Sequence, residues 1–203
     1  MRSVLATLLA AFAFAAPANA QADELSIGEG EGKGKWAATV FLGILSEGEL
    51  ADIIIPDPNV GFEDTGFVGF ALSREIARWH GFSIELEGGL GGQFGDNATG
   101  QVWAASYLRY DRFPWDDYIH TSIAASVGVN YAFRNTAFEI AETTEGSAKK
   151  LLHYFSPEVT FALPDRKENE LVFRVHHRSS FAGAFGCDGC GSNVVTVGFR
   201  KRF

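Results

Sequence analysis

The sequence predicts an all-β chain, an eight-stranded antiparallel transmembrane β-barrel of the bacterial outer membrane. Three observations predict it. In the last strand-like run, Val195, Val197, Phe199 and Phe203 share one face and Thr196, Gly198, Arg200 and Arg202 share the other. A membrane-spanning sheet must pair all its backbone groups strand to strand, so its closing strand is complete and here ends on an aromatic. At the other end, Met1-Arg2, the apolar run Val4 to Ala16 and the small residues Ala18 and Ala20 read as a secretory signal cleaved after Ala20. No later stretch has the length of a helical membrane span. Third, charged and apolar residues are interleaved rather than segregated, with mean hydropathy near zero, as a period-two barrel looks when averaged. Lys201 departs from the pattern, standing where a second terminal aromatic is expected.

The chain divides into a signal peptide (1–20), a flexible Gly/Glu-rich lead-in (21–35) and the barrel (36–203). The first strand runs from about Trp36 to Ser46. The second runs from about Gly66 to Arg74, with Val68, Phe70 and Leu72 on one face. The third starts near Phe82, where Phe82, Ile84, Leu86 and Leu90 alternate with Ser83, Glu85, Glu87 and Gln93. The fourth spans Gln101 to Arg112. In the fifth, Tyr118 to Phe133, Ile119, Ile123, Val127 and Val129 oppose His120, Ser122, Ser126 and Asn130. In the sixth, Leu152 to Leu163, Phe155, Val159 and Phe161 oppose Tyr154, Ser156, Glu158 and Thr160. The seventh spans Asn169 to Ser180 and the eighth Asn193 to Phe203. An even number of antiparallel strands closes with no open edge.

The links Glu75–Gly81, Phe113–Asp117 and Pro164–Glu168 are short. Glu47–Thr65, Arg134–Leu151 and Phe181–Ser192 are longer, while Gly95–Gly100 is short for its side. Outer-membrane barrels keep short turns in the periplasm and long loops outside, which puts both termini in the periplasm. Trp79, Phe113, Trp115 and Tyr118 then gather at the periplasmic interface, where amphipathic rings are favoured. A barrel of eight strands is filled by its own side chains and is a poor channel. Glu85, Glu87, Glu158, Arg174 and Arg200 fall on the inward parity, where charges must pair. A hairpin centred near Asp165 brings Glu158 to Arg174.

The formal net charge of −8 and the lack of a basic patch argue against a nucleic-acid partner. The two cysteines, Cys187 and Cys190, stand in Cys-Asp-Gly-Cys with no helical pattern beside them. In an exported chain this spacing reads as a short-loop disulfide rather than a redox site. Two cysteines alone do not make a structural zinc site.

One constellation carries chemistry. In the seventh strand, Leu171, Phe173, Val175, His177 and Ser179 share the apolar, lipid-facing parity, and Arg174, His176, Arg178 and Ser180 share the other. His177 and Ser179 therefore sit two residues apart on the lipid face, at the extracellular end of the strand. A Ser beside a His is the minimum for an activated hydroxyl nucleophile.

With the signal peptide, the eight-strand pattern, His177-Arg178-Ser179 on the penultimate strand and the aromatic-ended last strand, the chain resembles the PagL-like lipid A 3-O-deacylases, or acyloxyacyl-hydrolase-like outer-membrane proteins. The resemblance implies an integral outer-membrane esterase whose partners are lipopolysaccharide and outer-membrane lipids, with no metal or organic cofactor. It implies Ser179 as nucleophile and His177 as general base. The family places Asn after the Ser as an oxyanion donor, whereas this chain has Ser180. Ser180 by its hydroxyl or its backbone amide, together with Arg178, is the candidate for oxyanion or substrate binding. The family also uses a downstream Glu, and none follows Ser179. Asp188 is the acid downstream of it and the candidate to orient His177, although Asp before Gly189 is also an ordinary turn residue. Glu139, Glu142 and Glu145, in the preceding outer loop, are the other candidates, and the sequence does not choose among them.

Two further readings stand beside the enzyme. One is a non-catalytic barrel that acts as a structural or surface-binding protein, with His176, His177 and Arg178 meeting lipopolysaccharide phosphates, or with His176 and Arg178 as satisfied polar groups of the interior. The other is a soluble ligand-binding barrel, which the outward apolar parity opposes.

Overall fold

The computed structural model of the chain describes residues 26–27, 35–55, 57–143 and 146–203. The expected signal peptide, the lead-in apart from 26–27 and 35, and Glu145 lie outside the described residues. The strands are β1 (Ser26–Ile27), β2 (Trp36–Ser46), β3 (Phe62–Trp79), β4 (Phe82–Gly95), β5 (Thr99–Tyr110), β6 (His120–Ala132), β7 (Leu151–Phe155), β8 (Glu158–Ala162), β9 (Asn169–Ser179) and β10 (Gly191–Arg202). β1 is a two-residue pairing on β3. β7 and β8 are the two halves of one stave, so the wall has eight.

Every neighbouring pair is antiparallel. The ring closes because β10 pairs with β2 while β3 pairs with both β2 and β4. At the seam, Phe203 N–H donates to the Trp36 carbonyl at 2.8 Å and Trp36 N–H to the Phe203 carbonyl at 3.2 Å. Closure removes the unpaired edges that would otherwise template aggregation or, in hydrocarbon, cost several kcal/mol per orphaned group.

The outer surface is apolar. Val40, Leu42, Ile44, Val68, Phe70, Leu72, Leu86, Leu90, Leu108, Val127, Leu171, Phe173, Val197 and Phe199 are all exposed. In water such a belt would be untenable; in hydrocarbon it needs no cover. The interior is polar. Glu158 receives Arg109 at 2.6 Å, Arg174 at 2.5 Å and Arg200 at 2.8 Å, and Glu87 receives Arg174 at 2.8 Å. Glu85 takes Arg109 and Arg202, and Glu170 takes Arg200. The Glu158–Arg174 pair expected from the hairpin register is present, with those two residues directly opposed. Above the charges lie Tyr107, Trp103, Tyr154, Phe41 and Phe67. The lumen is thus filled by its own wall.

Several strand ends fall a few residues from the sequence reading, as at Phe62 where β3 begins, and two departures have a plain physical cause. The link expected over Glu75–Gly81 is strand almost to its end, and only His80 and Gly81 turn, with φ of 50° and 83°. Left-handed backbone at both central residues is the tight hairpin geometry that matches strand twist, and Gly81 supplies the freedom for it. The sixth strand, expected to be continuous, breaks at Ser156–Pro157. Proline has no N–H for the ladder. The gap is bridged by Ser156 N–H to Ser126 Oγ at 2.8 Å and by Val175 N–H to the Pro157 carbonyl at 3.1 Å.

The two short helices belong to the long-loop end. α1 (Leu50–Ile54) follows β2 and lies near β9. α2 (Ala137–Glu142) starts at Thr136, whose Oγ1 accepts from Glu139 N–H at 3.2 Å. α2 lowers buried Glu139 into the mouth of the barrel, where it meets Arg178 at 3.2 Å and Ser192 Oγ at 2.9 Å. Neither helix has the length of a membrane span.

Candidate functional site on the outer wall

The site is a small grid on three neighbouring staves at the long-loop end. Along β9, His177 and Ser179 point outward, on the parity of exposed Leu171 and Phe173. Strand pairing sets their neighbours. Ser179 lies between His153 on β7 and Gly191 on β10. His177 lies between Phe155 on β7 and Asn193 on β10. Hairpin register thus gathers residues far apart in sequence into one outward patch.

Asn193 fixes the state of His177. Its Nδ2 donates to the Gly48 carbonyl at 2.8 Å, so its Oδ1 faces the imidazole and accepts from His177 Nδ1 at 2.6 Å. The proton of the neutral ring is therefore on Nδ1, and Nε2 carries the lone pair of a general base. Among the described residues, His177 Nε2 and the Ser179 hydroxyl have no side-chain hydrogen-bond partner. Their residues are separated by about 6.6 Å along the strand, within side-chain reach. The pair is not bonded to each other in the free protein, and catalytic hydrogen bonds commonly tighten only with substrate bound.

Gly191 keeps the wall beside Ser179 low. A Cβ there would stand 2.3 Å from the Arg178 carbonyl and 3.1 Å from Ser179 Cα. Beyond Ser179 the chain turns through two non-glycine residues in left-handed conformation, Phe181 at φ 49° and Ala182 at φ 53°. This strained turn swings Phe181 back so that its ring lies 4.7 Å from that of His153. The rings of Phe155 and His177 stand nearly perpendicular, with centroids 6.5 Å apart.

Other residues singled out in the sequence are elsewhere. Arg178 is fully buried, facing the lumen, with Nη2 on the Lys150 carbonyl at 2.9 Å and Nη1 toward Glu139. Ser180 is buried on the same inward parity, and its backbone N–H is spent on the Cys190 carbonyl at 2.9 Å. Neither faces the outer patch, because period two sends the even-numbered residues of β9 inward. Cys187 and Cys190 are joined in a disulfide and pack with Ala148, Leu152 and Phe185. Asp188, between them, is exposed and its carbonyl accepts from Thr143 Oγ1 at 2.9 Å; the side chain facing His177 Nδ1 is that of Asn193. Glu139 is committed to Arg178 and Ser192. His176 lies inside, between Asn130 at 3.1 Å, Gln101 at 3.0 Å and the Tyr154 hydroxyl at 3.2 Å.

Asn193 and His153 were missed by sequence reasoning. The available signal was polarity on an apolar parity, since Asn193 precedes Val195, Val197 and Phe199, and His153 precedes Phe155. No group of His, Cys, Asp or Glu among the described residues has the arrangement of a metal site.

No family model matches the chain. No curated protein matches it in sequence. Solved structures do match in fold. The outer membrane enzyme PagL aligns with TM-score 0.55 at 11% identity, covering 82% of this chain and 99% of that one. Neisserial surface protein A (NspA) aligns with TM-score 0.50 at 10% identity, covering 85% of this chain and 100% of that one. At such identities the likeness establishes the eight-stranded outer-membrane barrel as the fold and leaves chemistry to the site itself.

Proposed function

We propose that this barrel is an integral outer-membrane esterase that hydrolyses an acyl ester of lipid A in lipopolysaccharide, with Ser179 as nucleophile and His177 as general base. The observation that carries the reading is the Asn193–His177 hydrogen bond. It holds the imidazole on the lipid face in the tautomer that accepts a proton, one strand step from a free serine hydroxyl. A soluble enzyme has no reason to place this pair on an apolar wall. An enzyme whose substrate stands in the leaflet beside it does.

The reaction is acyl transfer to Ser179 followed by hydrolysis at the water–lipid boundary. His177 takes the hydroxyl proton and returns it to the leaving sugar alkoxide. It draws on no metal or organic cofactor. Asn193 acts as the orienting partner, as Asn does in Cys-His-Asn proteases.

A non-catalytic surface barrel is the second reading, favoured by the absence of a carboxylate bonded to His177 among the described residues. Mass spectrometry of lipid A from cells with and without the expressed protein separates the two. Loss of one acyl chain, abolished by Ser179→Ala and by His177→Ala in variants that still show heat-modifiable migration, supports the esterase. Unchanged lipid A with folded wild-type protein supports the non-catalytic barrel.

A further inference from the structure

Ester hydrolysis needs a donor for the oxygen that becomes negative in the tetrahedral intermediate. The two residues that sequence reasoning offered for that task do not supply one at Ser179. The Ser180 amide is committed to the Cys190 carbonyl and Arg178 faces the lumen. The outer patch nevertheless holds an unassigned polar group in direct register with Ser179, namely His153.

Directly opposed residues of an antiparallel pair carry their Cβ atoms about 4.5–5.5 Å apart. That is closer than the two-residue step to His177. The ring of His153 is held by Phe181 at 4.7 Å and Phe185 at 6.4 Å. Its Nδ1 is buried without a hydrogen-bond partner among the described residues. A neutral imidazole has one proton, and a proton on Nδ1 would be enclosed with no acceptor. The nitrogen that can carry it toward an acceptor is Nε2, which has no hydrogen-bond partner among the described residues. With the proton on Nε2, the enclosed Nδ1 is the unprotonated nitrogen, and the uncommitted N–H belongs to a ring in direct register with Ser179.

We propose that His153 is the oxyanion donor of this site, a catalytic residue that hydrogen-bonds through Nε2–H to the ester carbonyl oxygen as it becomes negative; the assignment rests on the esterase reading above. As Ser179 Oγ bonds to the carbonyl carbon, its proton passes to His177 and the carbonyl π pair moves onto oxygen, opposite His153. Collapse re-forms the carbonyl and breaks the bond to the sugar oxygen, which takes the proton from His177. His153 keeps its own proton throughout. The two histidines thus differ in role by tautomer, one presenting a lone pair and the other an N–H.

The test uses the folded full barrel in vesicles containing lipopolysaccharide, with release of hydroxy fatty acid as the readout. His153→Phe keeps the ring stack and removes both nitrogens, and should lower kcat by about 10²–10³-fold with KM little changed, the usual cost of one oxyanion donor. His153→Gln, which carries an N–H close to the Nε2 position, should stay within roughly tenfold of wild type. Should His153→Phe fail to fold, His153→Leu replaces it. Wild-type kcat in folded His153→Phe overturns the assignment. So does a rise in KM alone, which would make His153 a binding contact, and so does a Gln variant as slow as the Phe variant. If Ser179→Ala is dead while His153→Phe is undiminished, only the His153 assignment falls. If wild type and Ser179→Ala are equally inert, the esterase reading falls and takes the donor with it.

Discussion

His177 Nδ1 and Asn193 Oδ1 lie 2.6 Å apart on paired strands, and Asn193 is itself tied to the Gly48 carbonyl. The loop after β2 therefore reaches across β10 to set the ring orientation on β9. Removing the acceptor would free the ring and let its tautomers exchange. A neutral hydrogen bond is worth about 1–1.5 kcal/mol, or roughly five- to tenfold in rate. Asn193→Ala should therefore slow ester hydrolysis by about that factor without altering migration of the folded barrel. Asn193→Asp, which keeps an acceptor, should retain most of the rate. Steady-state release of fatty acid by the two variants checks this.

Gly191 faces Ser179 from the other side. Its φ of 156° and the 2.3 Å approach of a would-be Cβ to the Arg178 carbonyl leave no room for a side chain. Gly191→Ala should cost roughly 1–3 kcal/mol of stability and, on the proposed esterase reading, also depress turnover, because β10 must shift where it borders Ser179. Chemical unfolding of the two proteins, read beside activity at a denaturant concentration where both are folded, separates the two effects.

The wall of this molecule was legible because a barrel strand is a simple code. Val127 and Val129 against Ser126 and Asn130, or Phe155, Val159 and Phe161 against Tyr154, Ser156, Glu158 and Thr160, state which side is lipid before any coordinates exist. The outward placement of His177 followed from the same parity. Asn193 and His153 did not follow, because their roles depend on cross-strand register. Register between β9 and β10 spans the disulfide-bearing loop that joins them, whereas the register that opposes Glu158 to Arg174 runs unchanged across the break at Pro157 and opposes His153 to Ser179. Nor does parity reach the helices. α2 fills the mouth because Glu139 finds Arg178 and Ser192, contacts between segments that no local pattern connects.

The interior charges make a different demand. Glu158 balances Arg109, Arg174 and Arg200 at once, all four side chains fully enclosed. Glu158→Ala would leave guanidinium groups around an absent partner. Breaking a buried ion pair by removing one member costs about 3–5 kcal/mol, far above the fraction of a kcal/mol typical of surface pairs. The variant should show a clear fall in the denaturant midpoint. Lys201→Ala, which removes exposed contacts to Glu168 and Asn169 on the outer surface, should show almost none. Parallel unfolding curves in one detergent make the comparison.

At the short-turn end, Asp116 accepts from His120 Nδ1 at 2.6 Å and from Lys167 Nζ at 2.5 Å. It thereby ties the turn after β5 to the turn between β8 and β9. Partial burial pushes its carboxyl upward, but Lys167 and His120 outweigh this and hold it below the usual range. A carboxylate lowered on folding contributes stability that is present above its unfolded value, near about 3.9. That contribution is lost as the pH falls through the lower folded value. Asp116→Asn lacks the titration. Wild type should therefore be the more stable protein at neutral pH, and the gap should close progressively below about pH 4 as Asp116 takes up its proton. Urea midpoints of both proteins from pH 7 down to pH 2 measure the gap. A difference that stays constant across that range would show that Asp116 does not act through its charge.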